Sequence, residues 1–206
     1  MIHYIKLLSD CVDFLGYSHS RYWIGYFERD KDFDIHIANE IISFFCENFC
    51  TPLTEIVIAT SYYIDNDNIS INDSFIQNIE NDLSSKGYIK RINGNSYFSE
   101  DDNVFDKQLF ELDTCFQIYK NFDNNILSDL SLLLMMDSNV QGQCFFILEK
   151  DNLIIYPHGD NTGYGCIGIN NRDSKKGYKF LYEASKKRYL NSYLYLEDKV
   201  VPFYPH

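Results

Sequence analysis

The spacing of apolar residues changes along this chain, and that change constrains the fold more than any other feature. Over residues 34–49 apolar side chains recur every three or four positions after Asp34, and over 73–85 they do so after a cap at Asn72 or Asp73, which predicts capped amphipathic helices. In the last third, apolar residues instead form short runs at 143–149, 153–156 and 165–169, which are typical of strands. The sequence therefore predicts an α+β fold, with a helical N-terminal part and a C-terminal antiparallel sheet flanked by helices.

The N-terminal part also has features of a winged helix-turn-helix. Residues 88–92, the dipeptide Asn93-Gly94 and residues 96–98 predict a β-hairpin directly after the second capped helix. The run 55–63 between the two helices is ambiguous, because its β-branched residues favour a strand and its opening at Thr51-Pro52 favours a helix. The helix at 73–85 carries Asp73, Glu80 and Asp82, which would face phosphate at a cost, so we expect no DNA binding.

The remaining elements complete a provisional division of the chain. The acidic cluster Glu100-Asp101-Asp102 predicts a surface loop that separates residues 1–100 from residues 101–206, unless the two parts form one compact domain. Further predicted elements are helices over 2–17, 106–121, 125–137 and 174–190, and an aromatic strand over 21–27.

Charge is distributed unevenly along the chain. The 54 residues from Asp32 to Ser85 contain ten carboxylates and neither Lys nor Arg. Residues 1–137 carry 23 acidic and 9 basic side chains, whereas residues 138–206 carry 7 acidic and 9 basic ones. A one-signed surface of this length selects positively charged partners and disfavours nucleic acid and anionic membranes. The alternative is a solvated face that keeps a chain with 17 Tyr and 16 Phe soluble.

No motif in the sequence names a reaction. Of the six cysteines only Cys46 and Cys50 are close, and they lack the second cluster that a zinc site needs, so we expect buried free thiols. We therefore predict no catalytic residue, no metal and no cofactor. The longest unbroken apolar run, 132–136, is far too short to span a bilayer, and no signal segment precedes it, which predicts a cytoplasmic protein.

One glycine-rich turn, residues 157–165, stands out as a candidate site. Its glycines allow close approach of a ligand or positive φ, and His158 with Asp160 forms a candidate acid–base pair. The turn does not match the phosphate-binding loop pattern. A long hairpin connection held by side-chain caps explains it equally well, so structure, partner contact and catalysis stay open.

The segment that contains this turn, CFFILEKDNLIIYPHGDNTGYGCIGIN, resembles bacterial immunity proteins of contact-dependent growth inhibition and related polymorphic toxin systems. The likeness extends from Gln143 to Tyr195. It implies tight binding to one cognate toxin domain without enzyme activity, and it assigns no contact residue.

Together these features predict an immunity protein that neutralises a basic toxin domain, most obviously a nuclease, through an acidic surface with aromatic residues. Two other functions stay open: an acidic winged-helix regulator that acts through protein contacts, and a small enzyme that uses the 157–165 turn. The immunity function requires that carboxylates from separate segments converge on one exposed surface. The predicted contact residues are Asp65, Asp67, Asp73, Glu80, Asp82, Asp101, Asp102, His158, Asp160 and Tyr164.

Overall fold

The fold combines five helices with a large antiparallel sheet. A computed structural model describes residues 2–29, 34–51, 54–66, 73–92, 116–136, 138–158, 162–197 and 199–203. The helices within these residues are α1 (Ile2–Cys11), α2 (Ile35–Phe49), α3 (Ser74–Ser85), α4 (Asn124–Met135) and α5 (Lys175–Ser185).

The large sheet has eight strands, and every neighbouring pair is antiparallel. Both proposed parts of the chain contribute strands to it, so residues on either side of position 100 share one sheet. In spatial order the strands are β11 (Lys199–Pro202), β10 (Asn191–Leu196), β1 (Trp23–Arg29), β9 (Thr162–Gly168), β8 (Leu153–Pro157), β7 (Cys144–Leu148), β2 (Val57–Thr60) and β5 (Gln117–Tyr119).

A second, small sheet lies beside the helices α3 and α4. Its three strands are β4 (Lys90–Ile92), β3 (Tyr63–Asp65) and β6 (Val140–Gln141), in that spatial order. The pairing of β3 with β4 is parallel and that of β3 with β6 is antiparallel.

The two faces of the large sheet are covered unequally. Helices α2, α3, α4 and α5 pack on one face, where Phe45, Phe146 and Phe180 are fully buried. Helix α1 packs on the opposite face through Leu8, against residues that include Trp23. Burial of apolar area at about 25 cal/mol per Å² makes these two clusters the main source of stability.

The predicted helix starts at the aspartates are confirmed. Asp34 Oδ1 accepts the backbone N–H of His36 at 2.8 Å, and Asp73 Oδ1 accepts that of Phe75 at 2.8 Å. Such caps satisfy backbone donors that have no partner within the helix. Helix α3 stops at the predicted glycine, because Gly87 adopts φ of 84°, which only glycine adopts freely.

The winged-helix-like arrangement is not confirmed. Residues 57–60 form β2, which is fully buried between β7 and β5, so a strand occupies the place where that motif has a helix. The second strand of the predicted hairpin, 96–98, lies outside the described residues.

Other boundaries also differ from the predictions. Strand β1 covers Trp23–Arg29 rather than 21–27, and β9 begins at Thr162 rather than at residue 165, so the end of the predicted turn 157–165 is strand. Helix α1 ends at Cys11 rather than at residue 17, and α5 ends at Ser185 rather than at residue 190. The predicted helix over 106–121 falls partly outside the described residues, and its described end, 117–119, is the strand β5. Its pairing with β2 outweighs local helical preference, as is common for short strands.

Among the helices of the described residues, none is long and apolar enough to cross a membrane.

Candidate partner-binding surface

Three helices without a single Lys or Arg lie side by side on one face of the sheet. Helix α4 packs between α2 and α3, and Cys46 Sγ on α2 lies 3.6 Å from Ser128 Oγ on α4. We call their outer surface the acidic helix face. Its exposed or half-exposed carboxylates are Asp82, Asp123 and Asp129 on the side of α3 and α4, and Glu40 and Glu47 on α2, which lie near Tyr189 and Arg29.

The carboxylates on α3 and α4 lie close enough to influence one another. Lys86 Nζ is 2.6 Å from Asp82 Oδ2, and this hydrogen bond is the main reason that the pKa of Lys86 is raised. Burial, and then the charge of Asp82, raise the pKa of Asp129 above its usual range. Lys86 therefore lies near three carboxylates, those of Asp82, Asp123 and Asp129.

Helix α5, which carries several lysines, and Lys187 just after it border the acidic helix face on the side of α2. The rings of Phe180 on α5 and Phe44 on α2 stack at 5.0 Å, and Lys187 Nζ lies 4.9 Å from the Phe44 ring. Lys176 pairs with Asp151 at 2.8 Å, so part of the basic charge is neutralised elsewhere. The charge asymmetry of the sequence thus becomes a gradient across the helix layer, from basic α5 to acidic α3.

A groove of about 690 Å³ opens where the acidic helix face meets β5. Two lysines, Lys86 and Lys120, and one carboxylate, that of Asp123, line it together with the rings of Tyr88 and Phe122. A protruding partner side chain would find an aromatic wall there, and aromatic residues are enriched at the centre of protein interfaces.

Burial removes three of the predicted contact residues from the exposed surface. Asp65 in β3 is 7% exposed, and Tyr164 in β9 is fully buried, where its ring stacks on Phe45 at 4.7 Å. Glu80 is 4% exposed, and its Oε1 accepts the backbone N–H of Asn139 at 3.0 Å. The position of Glu80 was detectable in the sequence, since it falls four residues after Ile76 and three before Leu83, on the apolar side of α3.

The other predicted contact residues divide into exposed and undescribed ones. Asp73 and Asp82 are exposed near the two ends of α3, where they cap the helix and pair with Lys86. Those that lie outside the described residues are Asp67, Asp101, Asp102 and Asp160.

Aromatic packing surrounds the described part of the glycine-rich turn. The half-buried ring of His158 lies 5.4 Å from the rings of both Tyr26 and Tyr156. A Cβ on Gly165 would come within 2.0 Å of Tyr156 Cζ, so this glycine is required for packing. The predicted pairing of His158 with Asp160 involves a residue outside the described part of the chain.

Sequence reasoning missed a second surface, on the face of the sheet that carries α1. At its margin, β1, β10 and β11 present the side chains that we call the open sheet face: Tyr26, Tyr193, Tyr195, Val200 and Pro202. The rings of Tyr26 and Tyr193 are stacked at 4.8 Å. The alternation in the segment Asn191–Leu196 was the available signal, since it places the two tyrosines of β10 on one side.

Among the cysteines that the structure describes, only Cys46, near the end of α2, has a lowered thiol pKa. A hydrogen bond with the thiol of Cys50 lowers the pKa of Cys46 to about 6, whereas the pKa of Cys50 is raised. Across the residues that the structure describes, no three His, Cys, Asp or Glu side chains are grouped so as to hold a metal ion.

Comparison of the chain with protein-family models, with curated proteins and with solved structures finds no match. Any assignment of function therefore depends on the surfaces described above.

Proposed function

We propose that this chain is a cytoplasmic immunity protein that binds and neutralises a basic toxin domain through the acidic helix face. The observation that carries the proposal is the absence of Lys and Arg from three adjacent helices, α2, α4 and α3, that share one surface. Opposite potentials across an interface steer the encounter and exclude wrong partners.

A nuclease is the toxin class that this surface suits best. The substrate cleft of a nuclease is positive because it must hold phosphates, and a row of carboxylates offers similar charge to that cleft. The groove beside Tyr88 and Phe122 supplies an apolar contact next to the charge, which carboxylates alone would lack. The chain would then inhibit by covering the path of the substrate.

The test compares two triple variants that change the net charge by the same amount. The first removes charge from the acidic helix face: Glu40→Gln, Glu47→Gln and Asp129→Asn. The matched control removes exposed carboxylates elsewhere: Asp10→Asn, Asp173→Asn and Glu197→Gln. The binding partner is a toxin domain encoded directly beside the gene for this chain, and association is followed by stopped-flow fluorescence.

At low ionic strength we expect the first variant to associate about tenfold more slowly than the unmodified chain, and the control to change by less than about twofold. The difference should shrink as salt screens the charges. Growth protection on co-expression with the toxin should weaken in the same order. Equal association rates for the two variants would refute the role of this face, and a failure of the unmodified chain to bind would refute the proposed function.

A further inference from the structure

The large sheet is wider than the helix that covers its second face. Eight strands at a spacing of about 4.8 Å span about 35 Å, whereas a helix with its side chains is about 10 Å across. The residues in the cluster beneath α1 come chiefly from β9, β8, β7 and β2. The margin formed by β1, β10 and β11 therefore extends beyond this helix.

The open sheet face at this margin is largely apolar. Register places Tyr193 beside Tyr26 on one side and Pro202 on the other, and it places Tyr195 beside Val200. Val200 remains 49% exposed, so apolar area stays in contact with water.

Among the described residues, side chains of opposite charge lie near the two ends of this face. Near the start of β1, the guanidinium of Arg172 lies 4.5 Å from the centre of the Tyr195 ring. Near the end of β1, Glu28 alternates with buried Phe27 and so shares a side with Tyr26. The stacked pair of Tyr26 and Tyr193 lies between these two ends.

We propose that the open sheet face binds a second copy of this chain in a symmetric dimer. A two-fold axis through the pair of Tyr26 and Tyr193 places Arg172 of each copy over Glu28 of the other. The face is thus complementary to itself in charge as well as in apolar character, as an isologous interface must be.

The charge of the chain singles out this face for self-association. A net charge of −12 makes two copies repel each other over most of their surface, and most strongly at the acidic helix face. Within the part of the chain that the structure describes, the open sheet face carries the guanidinium of Arg172 as well as the carboxylate of Glu28. Its flat area, about 15 Å by about 20 Å, is smaller than the roughly 800 Å² per partner of a standard interface, so the dimer is weak.

The test uses sedimentation velocity on the full chain between about 10 µM and about 500 µM. We expect concentration-dependent dimerisation of the unmodified chain. Arg172→Glu and Glu28→Arg each create two like-charge contacts per dimer, and each should weaken dimerisation at least about tenfold. The controls Lys179→Glu and Glu47→Arg make the same charge changes on the helix side and should dimerise like the unmodified chain.

Mixing the two single variants gives the decisive result. In a mixed dimer both contacts pair opposite charges again, so an equimolar mixture should dimerise about as well as the unmodified chain. A variant that had merely lost its fold would not be rescued in this way, and emission from the buried Trp23 checks the fold independently. A monomeric unmodified chain, dimerisation that survives both reversals, or a mixture that stays monomeric would each overturn the proposal.

Discussion

The substitution Gly165→Ala tests whether the glycine-rich turn is shaped by packing rather than by a ligand. Gly165 lies in β9 directly opposite Tyr156 in β8. A Cβ at this position would lie 2.0 Å from Cζ and 2.3 Å from the hydroxyl oxygen of Tyr156, far inside van der Waals contact. The tyrosine ring must therefore move by more than an ångström, about the difference between these distances and a normal carbon contact of about 3.5 Å.

The expected cost has two parts. Tyr156 is 2% exposed and tightly surrounded, so forcing its ring aside costs about 1–3 kcal/mol, as overpacking of a core usually does. The displaced hydroxyl also loses the hydrogen bond that Trp23 Nε1 donates at 2.9 Å, which leaves a buried N–H without its partner and adds about 1–3 kcal/mol. We therefore expect Gly165→Ala to lower the free energy of unfolding by about 2–6 kcal/mol.

Urea unfolding followed by tryptophan emission measures both parts at once, because Trp23 is the only tryptophan of the chain. Gly177→Ala in α5 is the matched control. A Cβ on Gly177 would lie 3.0 Å from Leu153 Cδ1 and 3.3 Å from Ile24 Cδ1, contacts that a small shift of these methyl groups relieves. Alanine is worth about 1 kcal/mol over glycine in a helix, so the net change should stay within about 1 kcal/mol.

A double-mutant cycle with Tyr156→Leu isolates the clash. Since the smaller side chain vacates the space that the new Cβ needs, the double variant should be more stable than the sum of the two single effects predicts. The packing explanation fails if Gly165→Ala unfolds within about 0.5 kcal/mol of the unmodified chain and its emission spectrum is unchanged. In that case the turn would again need a ligand or a partner to account for its glycine.

Three further predictions concern buried or half-buried titratable groups. Glu80→Ala should lower the free energy of unfolding, measured with urea, by about 1–3 kcal/mol, because the backbone N–H of Asn139 loses its acceptor. Glu80→Gln keeps an acceptor oxygen and should cost less. Equal effects of the two variants would contradict the acceptor role of Glu80. The rate at which iodoacetamide alkylates the native chain should rise through about pH 6, because the thiol of Cys50 lowers the pKa of Cys46. If a fast phase persists in Cys46→Ser, the reactive thiol is not Cys46. Burial raises the pKa of Asp129, so ionisation of this carboxyl destabilises the fold as the pH rises through that pKa. Asp129→Asn should therefore raise the melting temperature at pH 7, and this gain should vanish below about pH 4. A gain that persists at low pH would contradict the ionic cause.

The sequence predicts the elements whose signals are local. Helices α2 and α3 begin after the aspartates that cap them, and α5 begins after Ser174, whose side chain accepts the backbone N–H of Gly177. Strands β7 and β8 are continuous apolar runs because both faces of the sheet are covered there, whereas only the second half of β9 was predicted as a strand. A cap or an apolar run of five residues identifies such an element without knowledge of its neighbours.

Elements that depend on distant partners are not predicted in this way. Strand β5 has three residues, and it pairs with β2 across more than fifty residues of sequence; β2 has four residues and lies between β5 and β7. The predicted contact surface fails at Glu80 for a different reason. Counting charges along the chain treats each carboxylate as exposed, whereas the helical period places Glu80 on the apolar side of α3, where its carboxylate accepts the backbone N–H of Asn139.

The orientation of Tyr26 shows how a single residue, Gly25, determines whether a side chain of β1 points into the core or to the surface. Strict alternation along β1 would place Tyr26 on the side of Ile24, in the core beneath the helices. The structure places it instead on the side of Trp23, because the pairing with β9 shifts at Gly25 and the strand gains one residue there. Gly25 has φ of 152°, and a Cβ on it would lie 2.1 Å from the carbonyl oxygen of Tyr193, so no other residue fits. The open sheet face, and with it the proposed dimer, therefore depends on one bulge, which a count of tyrosines cannot reveal.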